Sequence, residues 1–303
     1  MRTKLTSIAS CLLLASLAVF AAACGDDDPT SNGGTGTAKF TTWGEDFIET
    51  GIPANADGEN GFIDGWSVKY SKFLVVFGGV TVTDQALSSP AYTQSGTILV
   101  NNVNAGVKEL FSFPAPARAY DRVSYQIVPA TADTTLVGVD AADHDFMVQN
   151  KYRLYVEGTA TKGTVSKTFK WGFTGVVSYT GCKSEDYGKE TEGIVVTNGG
   201  TDTTQLTTHG DHLFYNRLQA DPAKVVPTTL HFDPLASADD ADTGNQDGEV
   251  TLEELAKVSL SGLLAEPYNY NPSGLPATNL RALVEELSRT VGHFRGEGEC
   301  TEQ

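Results

Sequence analysis

The chain has 303 residues, 40% of them hydrophobic and 19% charged, which is enough apolar material for a sizeable core. Acidic residues outnumber basic ones 38 to 21, giving a formal net charge of −17 at pH 7. A chain this acidic repels nucleic acid and anionic lipid surfaces and attracts cations, so nucleic-acid binding is excluded first.

In chain order, Met1-Arg2-Thr3-Lys4 leads into an uncharged segment rich in Leu and Ala, which ends at Ala21-Ala22-Ala23-Cys24-Gly25. A short basic start, an apolar run and small closing residues mark residues 1–23 as a secretory signal peptide. The apolar part is shorter than the roughly 20 residues needed to span a bilayer. Removing Arg2 and Lys4 with the leader takes the mature charge to −19. Ala21-Ala22-Ala23-Cys24 resembles the lipobox of bacterial lipoproteins, with Ala21 standing where that family usually has Leu. The resemblance implies an acylated Cys24 and attachment to a lipid bilayer of a bacterial cell envelope, facing the periplasm or the exterior. Residues 24–38 have almost nothing to bury and read as a flexible tether.

Residues 39–208 read as a β-rich body. Trp43 to Glu49 forms a short opening element, ended by Gly51-Ile52-Pro53. Trp66-Ser67-Val68-Lys69-Tyr70 alternates as a half-buried strand, and Lys72 to Phe77 continues as a buried one, with Gly78-Gly79 allowing a bend. Further strand signals fall at Thr97–Val100, Val123–Ile127, Tyr152–Glu157, Lys167–Phe173, Val176–Tyr179, Gly193–Thr197 and Gln205–Thr208. Phe111 to Arg118 carries Pro114 and Pro116 and is therefore a loop or an edge. Short strands between turn residues, with no long helical periodicity, predict a mainly β antiparallel sandwich or barrel. The pattern loosely resembles uncharacterised β-sandwich lipoproteins.

Residues 209–303 read as a small α-rich unit. His212 to Leu218 has helical spacing with Asp211 placed to cap it, and Glu253 to Val258 continues helically from an acidic run. In the last helix Leu280, Leu283, Val284, Leu287 and Val291 share a face, Thr278 or Asn279 caps it, and Gly292 offers a stop. Cys11 and Cys24 belong to the leader and anchor, so Cys182 and Cys300 are expected to pair in an oxidising compartment. That bond clamps the helical unit to the body.

Two stretches carry metal chemistry. With Gly248 as the sixth position of an EF-hand loop, Asp247, Glu249, Val250 and Glu254 take positions five, seven, eight and twelve. Upstream the register fails, with Asn245 at position three; a three-residue insertion restores it, making Asp240 and Asp242 the first ligands. The loop thus resembles an elongated EF-hand, which implies structural Ca²⁺ on Asp240, Asp242, Asp247, Glu249 and Glu254, with Asn245 as an alternative ligand.

The second stretch is His209-Gly210-Asp211-His212, where two imidazoles and a carboxylate can hold Zn²⁺ or Cu²⁺. It resembles the end of the metallo-β-lactamase signature His-x-His-x-Asp-His, with Thr207 in place of the first His. His231 and His293 are the candidates to complete a cluster. Trp43, Trp66 and Trp171, at strand spacing, read as core. No complete catalytic set appears. The expectation is an envelope lipoprotein of binding or structural type with a calcium site. The alternatives are a transition-metal protein or metalloenzyme using His209, Asp211 and His212, or a surface interaction protein with an envelope or extracellular partner.

Overall fold

The solid apolar run Phe73 to Phe77 lies in the longest strand, Ser67–Thr83, and is apolar throughout because both of its faces are covered. Phe73, Val75 and Phe77 face the main core, whereas Leu74 and Val76 join Leu99, Met147 and Tyr155 in a smaller one. The structure is a computed structural model that describes residues 33–55, 60–84, 86, 89–186, 189–218, 228–272 and 275–303. The expected signal peptide, acylated Cys24 and first part of the tether lie outside the described residues. No helix among the described residues is long and apolar enough to cross a membrane.

The protein is mainly β, as expected, and Ser67–Thr83 sits at the centre of its largest sheet. Strands in that sheet run Glu249–Val250, Val165–Thr174, Tyr152–Lys162, Ser67–Thr83, Arg122–Ile127, Val177–Thr180, Thr301–Glu302. Tyr92–Thr93 and Thr97–Asn101 also pair with the long strand. Gly79, at φ 59, falls where the pairing with Arg122–Ile127 shifts register, so the expected bend is a bulge.

A second sheet runs Gly292–Phe294, Thr201–Thr208, Thr35–Trp43, Lys108–Pro116. The proline-bearing strand Lys108–Pro116 is at its edge, where a missing N–H is tolerated. Phe40, Leu206 and Phe294 of this sheet share one core with Phe73, Phe77, Tyr125 and Trp171 of the larger one.

The architecture differs in detail from the expected one. None of the sheets closes into a barrel among the described residues. The sheets are mixed rather than purely antiparallel: Thr35–Trp43 with Thr201–Thr208, Thr97–Asn101 with Thr135–Val137, and Val165–Thr174 with Glu249–Val250 are parallel pairs. Alternation in a sequence reveals which face a strand buries, and says nothing of its partner's direction. The tether does not reach residue 38, because Thr35–Trp43 is a strand with Ala38 buried. Residues 209–303 also contribute strands to the sheets of the body, through Glu249–Val250, Gly292–Phe294 and Thr301–Glu302, and Gly33–Gln303 forms one unit.

The expected helix after Asp211 shrinks to a 3-10 turn, Asp211–Phe214, and the Asp211 side chain does not cap it. A helix at Ala141–Asn150 was not expected; Asp140 caps it by accepting from Asp143 N–H at 2.8 Å. The last helix, Leu280–Leu287, buries Leu280, Leu283, Val284 and Leu287, and Asn279 caps it through Ala282 N–H at 2.9 Å. Cys182 and Cys300 are bonded, with Cα atoms 4.1 Å apart, tying the C-terminal tail to the body.

Candidate metal centre

His209 directly follows the Thr201–Thr208 strand, and its N–H donates to Val291 O at 2.9 Å. The antiparallel partner Gly292–Phe294 sets His293 opposite Thr207. Side chains two residues apart share a strand face, so His209 and His293 become diagonal neighbours, their rings 4.0 Å apart. The 3-10 turn then carries His212 back over the same place, 4.9 Å from the His293 ring and 5.4 Å from that of His209. One ligand atom from each of the three imidazoles lies within 4.8 Å of the others. His209 and His293 are buried and His212 is half-buried.

Two glycines make this convergence sterically possible. A Cβ on Gly210 would stand 2.7 Å from Ile48 Cγ1 and 2.8 Å from Tyr70 Cε2, and Tyr70 OH donates to Gly210 O at 2.6 Å. A Cβ on Gly292 would stand 2.7 Å from both Tyr125 OH and Tyr179 Cζ. Gly292 therefore opens the Gly292–Phe294 strand under two tyrosines, rather than simply stopping a helix.

The hydrogen bonds prepare the rings as ligands. Thr290 Oγ1 donates to Leu287 O at 3.0 Å, so it accepts from His212 Nδ1 at 2.8 Å. That network assigns the proton to Nδ1 and leaves the Nε2 lone pair of His212 free. His293 Nδ1 is buried and finds no hydrogen-bond partner among the described residues. Burial, reinforced by the neighbouring His209, pushes His212 down to about 3. Burial and the same neighbours hold His293 well below the ordinary histidine range. Both rings are therefore neutral at pH 7, the form that binds a metal.

His209 behaves oppositely. Burial works against its charge, but the Glu45 carboxylate, with help from Asp211 and Glu297, outweighs burial and lifts it to about 9. Glu45 Oε1 stands 3.1 Å from His209 Nε2. The Glu45 backbone is held at φ 54, a left-handed conformation costing a non-glycine residue on the order of 1–3 kcal/mol.

Of the residues expected here, the structure brings His209, His212 and His293 together. Asp211 lies beside them, but its Oδ2 accepts from Tyr215 OH at 2.5 Å, and its Oδ1 is buried without a partner among the described residues. His231 is placed elsewhere. Leu230 bridges to Phe62 and Tyr215, and His231 Nε2 meets Thr229 Oγ1 at 2.9 Å beneath Tyr268 and Tyr270.

Glu45 and Glu297 were not expected. With His209 they bring a second set of ligand atoms within 4.8 Å of one another. Nothing local in the sequence marks either glutamate; chain topology alone delivers them.

The acidic loop is organised differently from an EF-hand. Glu254 is occupied as a helix cap: Oε2 accepts from Thr251 N–H and Oγ1, and Oε1 from Asn245 N–H. Asp247 accepts from Glu249 N–H and Asn245 Nδ2, and Glu249 pairs with Lys170 at 2.9 Å. Asp242 is exposed. The cation inside the loop is Lys167, whose Nζ lies 2.6 Å from Asp239 and 2.5 Å from Asp240. The calcium reading finds no support in this arrangement, because the carboxylates expected as ligands already answer backbone amides and lysines.

Fold and site together define a β-rich protein with three histidines converging where the Thr201–Thr208 and Gly292–Phe294 strands of the smaller sheet pair. No family model and no curated protein matches the chain. Among solved structures it is similar to MbnP from Methylosinus trichosporium, at 14% identity and a TM-score of 0.30, covering 59% of this chain and 76% of that one. A likeness at that level carries no functional conclusion.

Proposed function

We propose that this protein binds a transition metal, Zn²⁺ or Cu²⁺, through His209, His212 and His293. The observation that carries this reading is the convergence of three imidazoles within 4.8 Å, two of them neutral and one with an unpartnered buried nitrogen. Imidazole suits zinc and copper, and three such ligands leave a position open for water or a further donor. Asp211 supports the centre from beside it, a role distinct from ligation. The lipobox-like leader and the Cys182–Cys300 bond favour an extracytoplasmic, membrane-anchored address.

Chelator-stripped protein reconstituted with Zn²⁺ or Cu²⁺ and analysed for bound metal tests the assignment. Retention after gel filtration by wild type, and loss in His212→Ala, supports it; equal retention by both refutes it. Mass spectrometry of the mature N-terminus tests the anchor: an acylated Cys24 supports it, and an unmodified end elsewhere refutes it.

A further inference from the structure

The three-histidine set and the Glu45, His209, Glu297 set share only His209. The two ring nitrogens of an imidazole lie on separate edges, so one ring can serve two ions at once. The Nε2 edge of His209 is turned to Glu45, 3.1 Å away, and to Gly296 O at 3.4 Å. Its Nδ1 is the nitrogen left for the other two imidazoles.

Charge points the same way. Glu45, Glu297 and Asp211 gather around one histidine, and Asp211 Oδ1 is buried with no hydrogen-bond partner among the described residues. Among those residues, the one ion pair these three carboxylates make is Glu45 with His209. Among the described residues no lysine or arginine pairs with these carboxylates, in contrast to the acidic loop, where Lys167 does so.

We propose that the centre holds two divalent transition ions with the His209 ring between them. The inner ion takes His209 Nδ1, His212 and His293. The outer ion takes His209 Nε2, Glu45 and Glu297, with Asp211 compensating charge beside it. Loading releases both ring protons of His209 to solvent, and the resulting imidazolate is shared by the two cations. Glu297 is exposed, so the outer position opens to water and exchanges its ion first. This inference rests on the three-histidine reading and adds a second position to it.

Chelator-stripped full-length protein is equilibrated with Cu²⁺ and dialysed, its bound copper is counted by mass spectrometry, and its spins are counted by electron paramagnetic resonance. The expected result is two equivalents, with a spin count lowered by coupling through the shared ring. The Glu45→Gln/Glu297→Gln variant is expected to hold one equivalent with a full, uncoupled signal. One equivalent in wild type overturns the second position and leaves the three-histidine reading standing. No bound copper overturns both. Two equivalents with a full uncoupled spin count, or two retained by a folded variant, overturn the shared ring. If circular dichroism shows the variant unfolded, the wild-type copper and spin counts decide alone.

Discussion

Replacing Lys167 by Met removes the cation that pairs with Asp239 and Asp240 in the acidic loop while keeping a flexible chain of similar length. Asp239 is fully buried, and Lys167 Nζ reaches both it and Asp240. Breaking a buried ion pair from one side costs about 3–5 kcal/mol. Asp239 keeps the N–H groups of Asp247 and Gly248 at 3.1 Å, so the lower end, about 3 kcal/mol, is expected. For a chain of this size that is a fall of roughly 6–10 °C in Tm.

The pH dependence has a definite sign. Burial raises the Asp239 carboxyl, but Lys167 and the two amides outweigh it and hold it below its ordinary value. Its contribution is therefore present above the unfolded carboxyl value and lost as pH falls through the depressed folded one. Burial opposes the Lys167 charge, yet Asp239 and Asp240 outweigh burial and raise it. Its contribution is present below the unfolded lysine value and lost as pH climbs through the raised folded one. Urea unfolding should therefore show a difference between wild type and Lys167→Met that is flat from about pH 5 to 9 and shrinks towards pH 3 and above pH 11. A difference below about 1 kcal/mol at pH 7 would refute the role of Lys167 as internal cation. So would millimolar Ca²⁺ raising the wild-type Tm by several degrees, because the loop would then prefer an external ion.

Further outcomes follow from the packing. Replacing Cys182 and Cys300 by Ser opens a cross-link spanning 118 residues and should lower unfolding free energy by about 4–5 kcal/mol in the chain-entropy model; a loss under 1 kcal/mol in chemical denaturation would contradict that. Gly292→Ala drives a methyl against Tyr125 and Tyr179, so Tm should drop by an amount equivalent to about 1–3 kcal/mol and metal retention should fall with it. Asn279→Ala removes the cap of Leu280–Leu287 and should cost about 1 kcal/mol in urea melts with metal binding untouched.

The β architecture was legible wherever one strand face is buried and the other wet, as in Val165–Thr174, because period-two alternation records exactly that contrast. Direction was not legible: nothing within Thr35–Trp43 announces that its parallel partner lies at Thr201–Thr208. Ala141–Asn150 leaves little trace in the sequence because its ten residues bury only Met147 fully. The acidic loop resembles an EF-hand for a local reason. Thr251 and Glu254 form a capping box, and a Gly-containing acidic turn before such a helix carries the same letters as the second half of an EF-hand. Lys167, which settles the loop's charge, comes from a distant strand. The centre itself was half legible. His209 and His212 stand three residues apart, but His293 joins them only through the register of Gly292–Phe294, while His231, nearer in sequence, is drawn away by Leu230.

The most direct test of the centre compares His293→Ala with His231→Ala by isothermal titration of Zn²⁺ into chelator-stripped protein. His293 supplies a converging ring, so its loss should weaken binding on the order of 100-fold or more. His231 lies apart beneath Tyr268 and Tyr270, and its loss should leave the affinity at the wild-type value. Equal weakening by the two substitutions, or wild-type affinity in His293→Ala, would contradict a metal centre built on His209, His212 and His293.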